Sequence, residues 1–382
     1  YYACDKCAYK PWCGLCPVIA YAEQGNILPK VSDFSLHKLH LFQFDYVFEK
    51  LLYDPETRAV FFDWVSDWKS NDGLDIRLVK SLKKVYGLEI NEANLIRKGM
   101  INKKILIKDG TKKLLLKLYH NWFKEDKENE EFICSIIAWV NYLRSKKVEI
   151  GKIIPTKEGR NYFKTNSNFS ILHEYLDGEK FSGTDKEIKS SSRKLAQMHG
   201  ALEKYNARMN TREFKKVFNC DKKLLNNLSP KYQKTINKAL KEIKEVLKEI
   251  NYSKLKKMYI HGDFSFGNII YQEKKVKAII DFDAIMYGPR TFDVGVALCY
   301  LIRYYDSGKF NKINLFYKEY INKINLNKIE KETMITLMKA HFIEQISSRL
   351  KLGKPVKNGI LELIKNLEWI TTNEIKLKKY LN

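Results

Sequence analysis

The chain has 382 residues, of which 45% are hydrophobic, and at about 100–200 residues per domain this length favours two or three packed units. It carries 69 lysines and arginines against 45 acidic residues, a net charge of +24. A nucleic-acid partner is one interpretation, but the acidic residues interleaved with the basic ones favour solvated helix faces instead. No apolar run reaches the ~18–20 residues of a membrane span, no signal-peptide pattern occurs, and the three cysteines after residue 16 are scattered. We therefore expect a cytoplasmic protein without a membrane partner.

Four cysteines lie within the first sixteen residues at the spacing of a metal site. Cys4, Cys7, Cys13 and Cys16 form the pattern C-x2-C-x5-C-x2-C. Four thiolates at this spacing can enclose one zinc ion or hold one iron–sulfur cluster. Disulfides are the alternative, which a cytoplasmic setting disfavours. The pattern predicts a small Cys-rich, metal-binding module over residues 1–29.

This module resembles the end of a SPASM domain, the auxiliary-cluster region of radical S-adenosylmethionine (SAM) enzymes that modify peptides. The resemblance rests on residues 13–17 (CGLCP) and on the later Gly25-Asn26. The last cysteine spacing is one residue shorter than usual and no CxxxCxxC motif of a radical core occurs, so a zinc knuckle stays open. Because the sequence begins with Tyr1, we expect a fragment, for which an upstream radical SAM domain or a peptide substrate is also open.

An aromatic-rich connecting segment over residues 30–74 ends in the polar turn of residues 70–73 (SNDG). From about residue 75 the pattern changes to a regular α+β succession. Its predicted elements are a helix over 77–86, a hairpin of strands 94–107 and 112–119, a helix over 126–146, a strand over 168–176, and helices over 186–205 and 230–257. After residue 293 the chain is predicted to be mostly helical.

The most informative segments are residues 261–268 (HGDFSFGN) and 280–283 (IDFD). Asp263 can accept the proton of an attacking hydroxyl, and Asn268 and Asp281 offer the oxygen ligands that magnesium prefers. Both segments adjoin short apolar strands, so we expect these three side chains at the ends of neighbouring strands. An isolated HxD is usually a polar loop, but the full spacing indicates phosphoryl transfer.

Residues ~75–382 resemble the aminoglycoside phosphotransferase and choline kinase family. Four motifs carry the resemblance: residues 114–118 (LLLKL) for the lysine strand, 172–178 (LHEYLDG) for the hinge, 195–199 (LAQMH) for the helix supporting the catalytic loop, and the HGDxxxxN…IDFD pair with 288–293 (GPRTFD). The resemblance implies an α+β, two-lobed, protein-kinase-like fold. Residues 75–178 would form the N-lobe and hinge. Residues 179–382 would form a helical C-lobe with the catalytic loop and the substrate site.

The resemblance also assigns the residues that contact ATP. Lys117 would bind the α- and β-phosphates, and a glutamate on the next helix would pair with it. Glu130 is the candidate, because it lies three residues before the apolar Ile133; Glu128 and Glu131 compete with it. The backbone carbonyl of Glu174 and the amide of Leu176 would bind adenine. Asn102 belongs to residues 99–102 (GMIN), where a phosphate-covering loop is expected, although GxGxxG is absent.

The remaining roles concern proton transfer, metal binding and support. The resemblance makes Asp263 the catalytic base and assigns magnesium to Asn268 and Asp281. Asp283 would contact a second magnesium ion or only cap the loop.

His199 and His261 would brace the catalytic loop through hydrogen bonds, and Asp293 would hold the backbone near His261. The acceptor site would lie among the C-terminal helices. There Glu319 and Glu344 are open either as ligands of a cationic amine or as solvated residues.

Three functions follow from these residues. The first is an ATP- and magnesium-dependent kinase that phosphorylates a hydroxyl of a small molecule, such as an amino alcohol, a sugar or an antibiotic-like compound. The alternative is the C-terminal part of a radical SAM/SPASM peptide-modifying enzyme fused to a kinase-like domain. A nucleotide-binding pseudokinase is the third, disfavoured because the lysine, base, amide and aspartate are all present.

Overall fold

The computed structural model describes residues 76–96, 102–121, 123–165, 168–214, 222–249, 254–351 and 359–381. The chain divides into one compact unit of residues 84–92 and 96–382 and another of residues 1–83 and 93–95. Helix α1 (Ile76–Tyr86) crosses this division. The predicted cysteine module and the aromatic-rich segment lie outside the described residues.

A five-stranded sheet forms the smaller lobe, with strand order β1-β2-β3-β5-β4. Its strands are β1 (Ile90–Ile96), β2 (Lys103–Asp109), β3 (Lys112–Leu118), β4 (Phe163–Lys164) and β5 (Phe169–Glu174). Strands β2 and β3 form the predicted antiparallel hairpin, which turns at Gly110, where φ is +57°. The predicted single strand over 94–107 is wrong, because β1 and β2 are separate strands in the structure. Between them the sequence has Arg97, Lys98 and Gly99, which interrupt a strand pattern.

Helix α2 (Asp126–Ser145) packs against β5. Its buried side chains recur at spacings of three and four and join Phe169 and Ile171 of β5 in the core. These side chains are Phe132, Ile133, Ile136, Ile137, Trp139, Val140 and Leu143. The rotation of α2 about its axis determines which of its acidic residues can face the cleft.

The larger lobe is mainly helical. Its helices are α3 (Asp185–Leu202), α4 (Lys222–Leu225), α5 (Pro230–Glu249), α6 (Thr291–Tyr304), α7 (Lys309–Ile321), α8 (Lys328–Glu332), α9 (Met334–Lys351), α10 (Ile360–Thr372) and α11 (Glu374–Leu381). Helices α6 and α9 pack together and are buried over most of their surface, as the centre of a helical core requires. In the described part of the chain, no helix combines the length and apolar character needed to cross a bilayer.

Two small sheets in this lobe carry the catalytic segments. Strands β6 (Arg212–Glu213), β7 (Lys257–Ile260) and β10 (Met286–Pro289) form one sheet, and β8 (Ile269–Gln272) and β9 (Lys275–Ile279) form the other. We expected the strands before Asp263 and Asp281 to be neighbours, but β7 pairs with β10 and β9 pairs with β8. Hydrophobic patterning locates a strand but does not specify its partner.

Candidate active site

The loop after β7 is held by one buried carboxylate. Asp293, at the start of α6, accepts hydrogen bonds from the backbone N–H groups of His261 and Gly262, each at 2.8 Å. Gly262 has a φ of +76°, and a Cβ there would collide with the carbonyl oxygen of Ala284. A glycine and a buried acceptor therefore fix the backbone that presents Asp263.

Two buried histidines link this loop to its surroundings. His199 Nε2 lies 3.1 Å from Asp293 Oδ2, and its Nδ1 lies 2.7 Å from the hydroxyl of Tyr320. His261 Nε2 lies 3.1 Å from the carbonyl oxygen of Ile280, one residue before Asp281. Burial lowers the pKa of His261, which keeps its imidazole neutral. The ring of His261 thus ties the two catalytic segments together through a hydrogen bond.

Asp263 and Asn268 are in direct contact. The Asn268 side-chain amide donates to the Asp263 backbone oxygen and to Asp263 Oδ2, both at 2.9 Å. Burial, together with the carboxylates of Asp281 and Glu344, raises the pKa of Asp263 to about 7. A carboxyl group with that pKa can accept a proton near neutral pH. Because Asn268 uses its nitrogen on Asp263, its side-chain oxygen is the atom suited to a metal.

Two lysines and two aspartates form a charged cluster where the sheet meets the helical lobe. Lys117 Nζ lies 2.5 Å from Asp281 Oδ1 and 2.5 Å from Asp283 Oδ1, and Lys104 Nζ lies 2.8 Å from Asp281 Oδ2. Burial opposes the charge on Lys117, but Asp283 and Asp281 raise its pKa. Burial likewise opposes ionisation of Asp281, but Lys117 and Lys104 hold the pKa of Asp281 well below its usual range. Lys117 is therefore a charged group held at the cleft.

The backbone after β9 brings both aspartates to Lys117. Asp281 has a φ of +70°, a left-handed conformation that is uncommon for residues other than glycine. The short 3-10 turn Phe282–Ala284 follows at once and directs Asp283 to the same ammonium group. Burial raises the pKa of Asp283. Backbone strain of this kind often marks functional segments.

Asn102 lies at the same cluster. Its side-chain nitrogen donates to Asp283, and its side-chain oxygen accepts from the backbone N–H of His120 at 2.7 Å. The other residues of the predicted phosphate-covering loop, 99–101, lie outside the described part of the chain. Asn102 therefore contacts Asp283 directly and is linked to Lys117 through Asp283.

The structure does not bring Glu130 to Lys117. Glu130 is exposed and accepts a hydrogen bond from the hydroxyl of Tyr162. The preceding Asn129 is the buried residue, and its side chain bonds the backbone of Phe123 and of Glu125. A spacing of three before Ile133 selects Glu130 and a spacing of four selects Asn129. Both spacings fit a helical face, and α2 uses the second.

Lys104 is a residue of this cluster that the sequence interpretation missed. The hairpin register places Lys104 directly opposite Lys117. In the structure the turn lies at residues 110–111 and Asp109 is opposite Lys112, whereas the predicted strands 94–107 and 112–119 would place Lys104 opposite Leu115. The predicted strand bounds therefore did not specify the pairing of Lys104 with Lys117.

The hinge residues lie at the end of β5. The Glu174 backbone N–H donates to the Lys152 carbonyl oxygen at 2.8 Å, and the Tyr175 N–H donates to that of Lys113 at 3.2 Å. Leu176 is partly buried beside Gly151. The contacts predicted for adenine, the Glu174 carbonyl and the Leu176 amide, stay predictions.

The donor set at the cluster suits magnesium. Across the described ranges, no group of three or more His, Cys, Asp or Glu side chains is arranged to hold a metal ion. Magnesium does not require such a group, because it commonly takes one or two carboxylates and completes its shell with water and substrate phosphates. Asp281, Asp283 and the oxygen of Asn268 are ligands of that type.

Comparison with known proteins identifies the class. The profile of the phosphotransferase enzyme family matches residues 92–316, more than half of the chain, and the chain belongs to this family. The predicted membership of the aminoglycoside phosphotransferase and choline kinase family is confirmed, as is the prediction of a phosphotransferase acting on hydroxyl groups. No curated protein sequence matches the chain.

Solved structures share its fold at low sequence identity. An amicoumacin kinase in complex with AMP-PNP, Ca²⁺ and Ami has a TM-score of 0.64 and 15% identity, over 77% of this chain and 93% of the other. A microcompartment-associated aminopropanol kinase has a TM-score of 0.64 and 13% identity, over 81% and 100%. A spectinomycin phosphotransferase in complex with ADP and spectinomycin has a TM-score of 0.53 and 17% identity, over 77% and 93%. These similarities confirm the two-lobed, protein-kinase-like fold.

Proposed function

We propose that this protein transfers the γ-phosphoryl group of ATP to a hydroxyl of a small molecule, with magnesium as the metal. The observation that carries the proposal is the convergence of two catalytic segments and one lysine strand. Asp263, Asn268, Asp281, Asp283 and Lys117 are linked by contacts or by shared electrostatics. The AMP-PNP and Ca²⁺ of the amicoumacin kinase and the ADP of the spectinomycin phosphotransferase support the same donor chemistry.

Asp263 is the proposed base. As the acceptor oxygen bonds to the γ-phosphorus, the bond from that phosphorus to the bridging oxygen of ADP breaks, and the hydroxyl proton passes to Asp263. A pKa of about 7 makes the Asp263 carboxylate basic enough to take this proton and still deprotonated in part at neutral pH. Asn268 holds the carboxylate in place through its 2.9 Å hydrogen bond.

The phosphates of ATP would be bound mainly by charged groups. Asn268, Asp281 and Asp283 would hold magnesium, which would neutralise phosphate charge in the site. Lys117 would exchange its two carboxylate partners for the α- and β-phosphates. Its side chain is only 5% exposed, so little reorganisation of water accompanies that exchange. The backbone of Glu174 and Leu176 would bind the base.

The acceptor is proposed to be an amino alcohol, a sugar or an antibiotic-like compound. The carboxylate of Glu344, on α9, acts on Asp263 electrostatically, which supports a position near the proposed acceptor hydroxyl. Glu319 forms an ion pair with Arg193 at 2.8 Å. Because Glu344 is the acid that acts on the proposed base, we favour it of the two to meet an amine. The aminopropanol, spectinomycin and amicoumacin enzymes are named for small molecules of these kinds.

The test is an acceptor screen with ATP and magnesium, in which ADP release is measured over amino alcohols, sugars and aminoglycoside-like compounds. At least one acceptor should accelerate turnover, and Asp263→Asn should abolish the acceleration while Asp306→Asn, at an exposed aspartate, should not. Nucleotide binding without accelerated turnover by any acceptor would instead favour the pseudokinase alternative.

The predicted N-terminal cysteine module leads us to retain a second proposal, in which the chain is the C-terminal part of a peptide-modifying enzyme. It rests on Cys4, Cys7, Cys13 and Cys16, none of which is among the described residues. Metal analysis of anaerobically purified protein separates the choices: iron with sulfide favours the SPASM-like interpretation, and stoichiometric zinc removes it. The domain boundaries predicted at residues 29, 74 and 178 likewise stay proposals.

A further inference from the structure

We propose that Lys104 is a second phosphate-binding lysine, which contacts the polyphosphate of the nucleotide beside Lys117. The inference rests on the proposed function and adds a residue to the donor side. No motif pointed to Lys104; its position in the hairpin and its bond to Asp281 do.

Lys104 and Lys117 share one carboxylate. They lie directly opposite each other on β2 and β3, with their ammonium groups at 2.8 Å and 2.5 Å from the two oxygens of Asp281. The Lys104 side chain is 19% exposed and that of Lys117 is 5% exposed. Both cations therefore reach the position predicted for magnesium from the same face of the hairpin.

The charge balance of the cluster would favour an anion once a metal ion is bound. Like charges directly opposite on paired strands are destabilising, and here Asp281 and Asp283 compensate them. Two lysines and two aspartates sum to zero. With magnesium bound, Asp281 and Asp283 would serve as its ligands and the cluster would carry two more positive charges. Lys104 and Lys117 would then be free to bind the negative charge of a polyphosphate.

A second lysine pair in the same hairpin shows what an ordinary arrangement looks like. Lys108 and Lys113 are also directly opposite, four residues along from Lys104 and Lys117. Each forms an ion pair with a different exposed acidic residue: Lys108 with Glu92, and Lys113 with Asp177. Neither acid belongs to the catalytic segments. Lys104 differs because its carboxylate is a predicted metal ligand.

The experiment measures equilibrium binding of ATP, ADP and adenosine, with magnesium, to the full chain and its variants. Lys104→Met should weaken ATP and ADP binding about tenfold, as expected for one charge-assisted contact, and leave adenosine affinity unchanged. It should also reduce the salt dependence of ATP affinity. Lys104→Arg should retain most of the affinity. Lys108→Met is the matched control and should change none of these values by more than about twofold.

The outcomes separate this inference from the proposed function. If Lys117→Met weakens ATP binding but Lys104→Met does not, Lys104 only neutralises Asp281 and the inference is wrong. The inference is also wrong if Lys104→Met weakens adenosine as much as ATP, since the effect is then structural. If Lys117→Met leaves ATP binding intact, the proposed function itself fails. Should Lys104→Met not fold, Lys104→Gln is measured in the same way.

Discussion

The two sides of the catalytic cleft differ in how their residues are specified. On the phosphate-donor side, Lys104, Lys117, Asp281 and Asp283 lie in one hairpin and one turn and are joined by direct ion pairs. On the proposed acceptor side, Asp263 is accompanied by Glu344, which lies on the distant helix α9 and acts on Asp263 through charge. Lys117, Asp281 and Asp283 belong to recognisable short motifs, although tertiary packing brings the lysine to the aspartates across 164 and 166 positions of the chain, whereas Glu344 belongs to no motif. Donor chemistry can therefore be identified from the sequence while acceptor identity cannot.

The largest effect should come from the residue at which the two sides meet. Asp263→Asn removes the proposed base and should lower kcat about a thousandfold, within the range of general-base catalysis. ATP affinity should change little, because Asp263 is proposed to act on the acceptor hydroxyl and not on the nucleotide. Steady-state kinetics with the best acceptor from the screen, together with nucleotide titration, measure both quantities.

Asp306→Asn is the control for the loss of one negative charge at an exposed site. If the Asp263→Asn enzyme keeps more than a tenth of the wild-type kcat, Asp263 is not the catalytic base. Loss of ATP binding in the same variant would instead show that nucleotide binding also depends on Asp263.

Gly262 tests whether the base is held by backbone geometry. Gly262→Ala places a Cβ against the Ala284 carbonyl at a φ of +76°, so it should cost more than the ~1–2 kcal/mol of a left-handed conformation alone. We expect kcat to fall about a hundredfold, since a small displacement of a catalytic group has effects of that size. Urea unfolding and kinetics measure the two losses.

Gly110→Ala provides the matched comparison. Gly110 also has a positive φ, +57°, but a Cβ there meets nothing within 4 Å. This variant should lose ~1–2 kcal/mol of stability and no activity. Equal kcat losses in the two variants would mean that catalysis does not depend on the local shape of the catalytic loop.

The pKa of Asp263 makes a prediction about pH. As the proposed base, Asp263 would act as its carboxylate, whose pKa is raised to about 7, so kcat/KM should rise with pH up to about 7 and level above it. Below that pKa the rate should fall about tenfold per pH unit, because the protonated fraction no longer accepts a proton. A profile that is flat between pH 5 and 8 would contradict the assignment. ATP affinity over the same range serves as the control.

Particular residues show how far sequence reasoning reached. The fold, the family and the hairpin were predictable because apolar periodicity and a rare motif spacing are local signals. The partner of β7 was not, since sheet pairing is set by packing between distant segments. Lys104 was missed because β2 extends two residues beyond its predicted end at residue 107, and a shift in register changes which residues are opposite.

The wrong prediction for Glu130 has a different cause, because the sequence did not specify the rotation of helix α2 about its axis. Spacings of three and four both fit one face, and only packing against β5 decides that Asn129 rather than Glu130 is buried. The acceptor is beyond sequence reasoning for a similar reason, since its contacts come from helices whose relative positions no short motif specifies.

The smallest expected effect is therefore at Glu130. Glu130→Gln leaves Lys117 with both of its carboxylates and removes only a charge at an exposed hydrogen bond with Tyr162. We expect kcat and ATP affinity to change by less than about twofold, as for other exposed polar contacts. Asp283→Asn, which weakens a direct partner of Lys117, should have a clearly larger effect on both. If Glu130→Gln were as damaging as Asp283→Asn, α2 would have to rotate or shift on nucleotide binding to bring Glu130 to Lys117, and the donor side would also depend on tertiary movement.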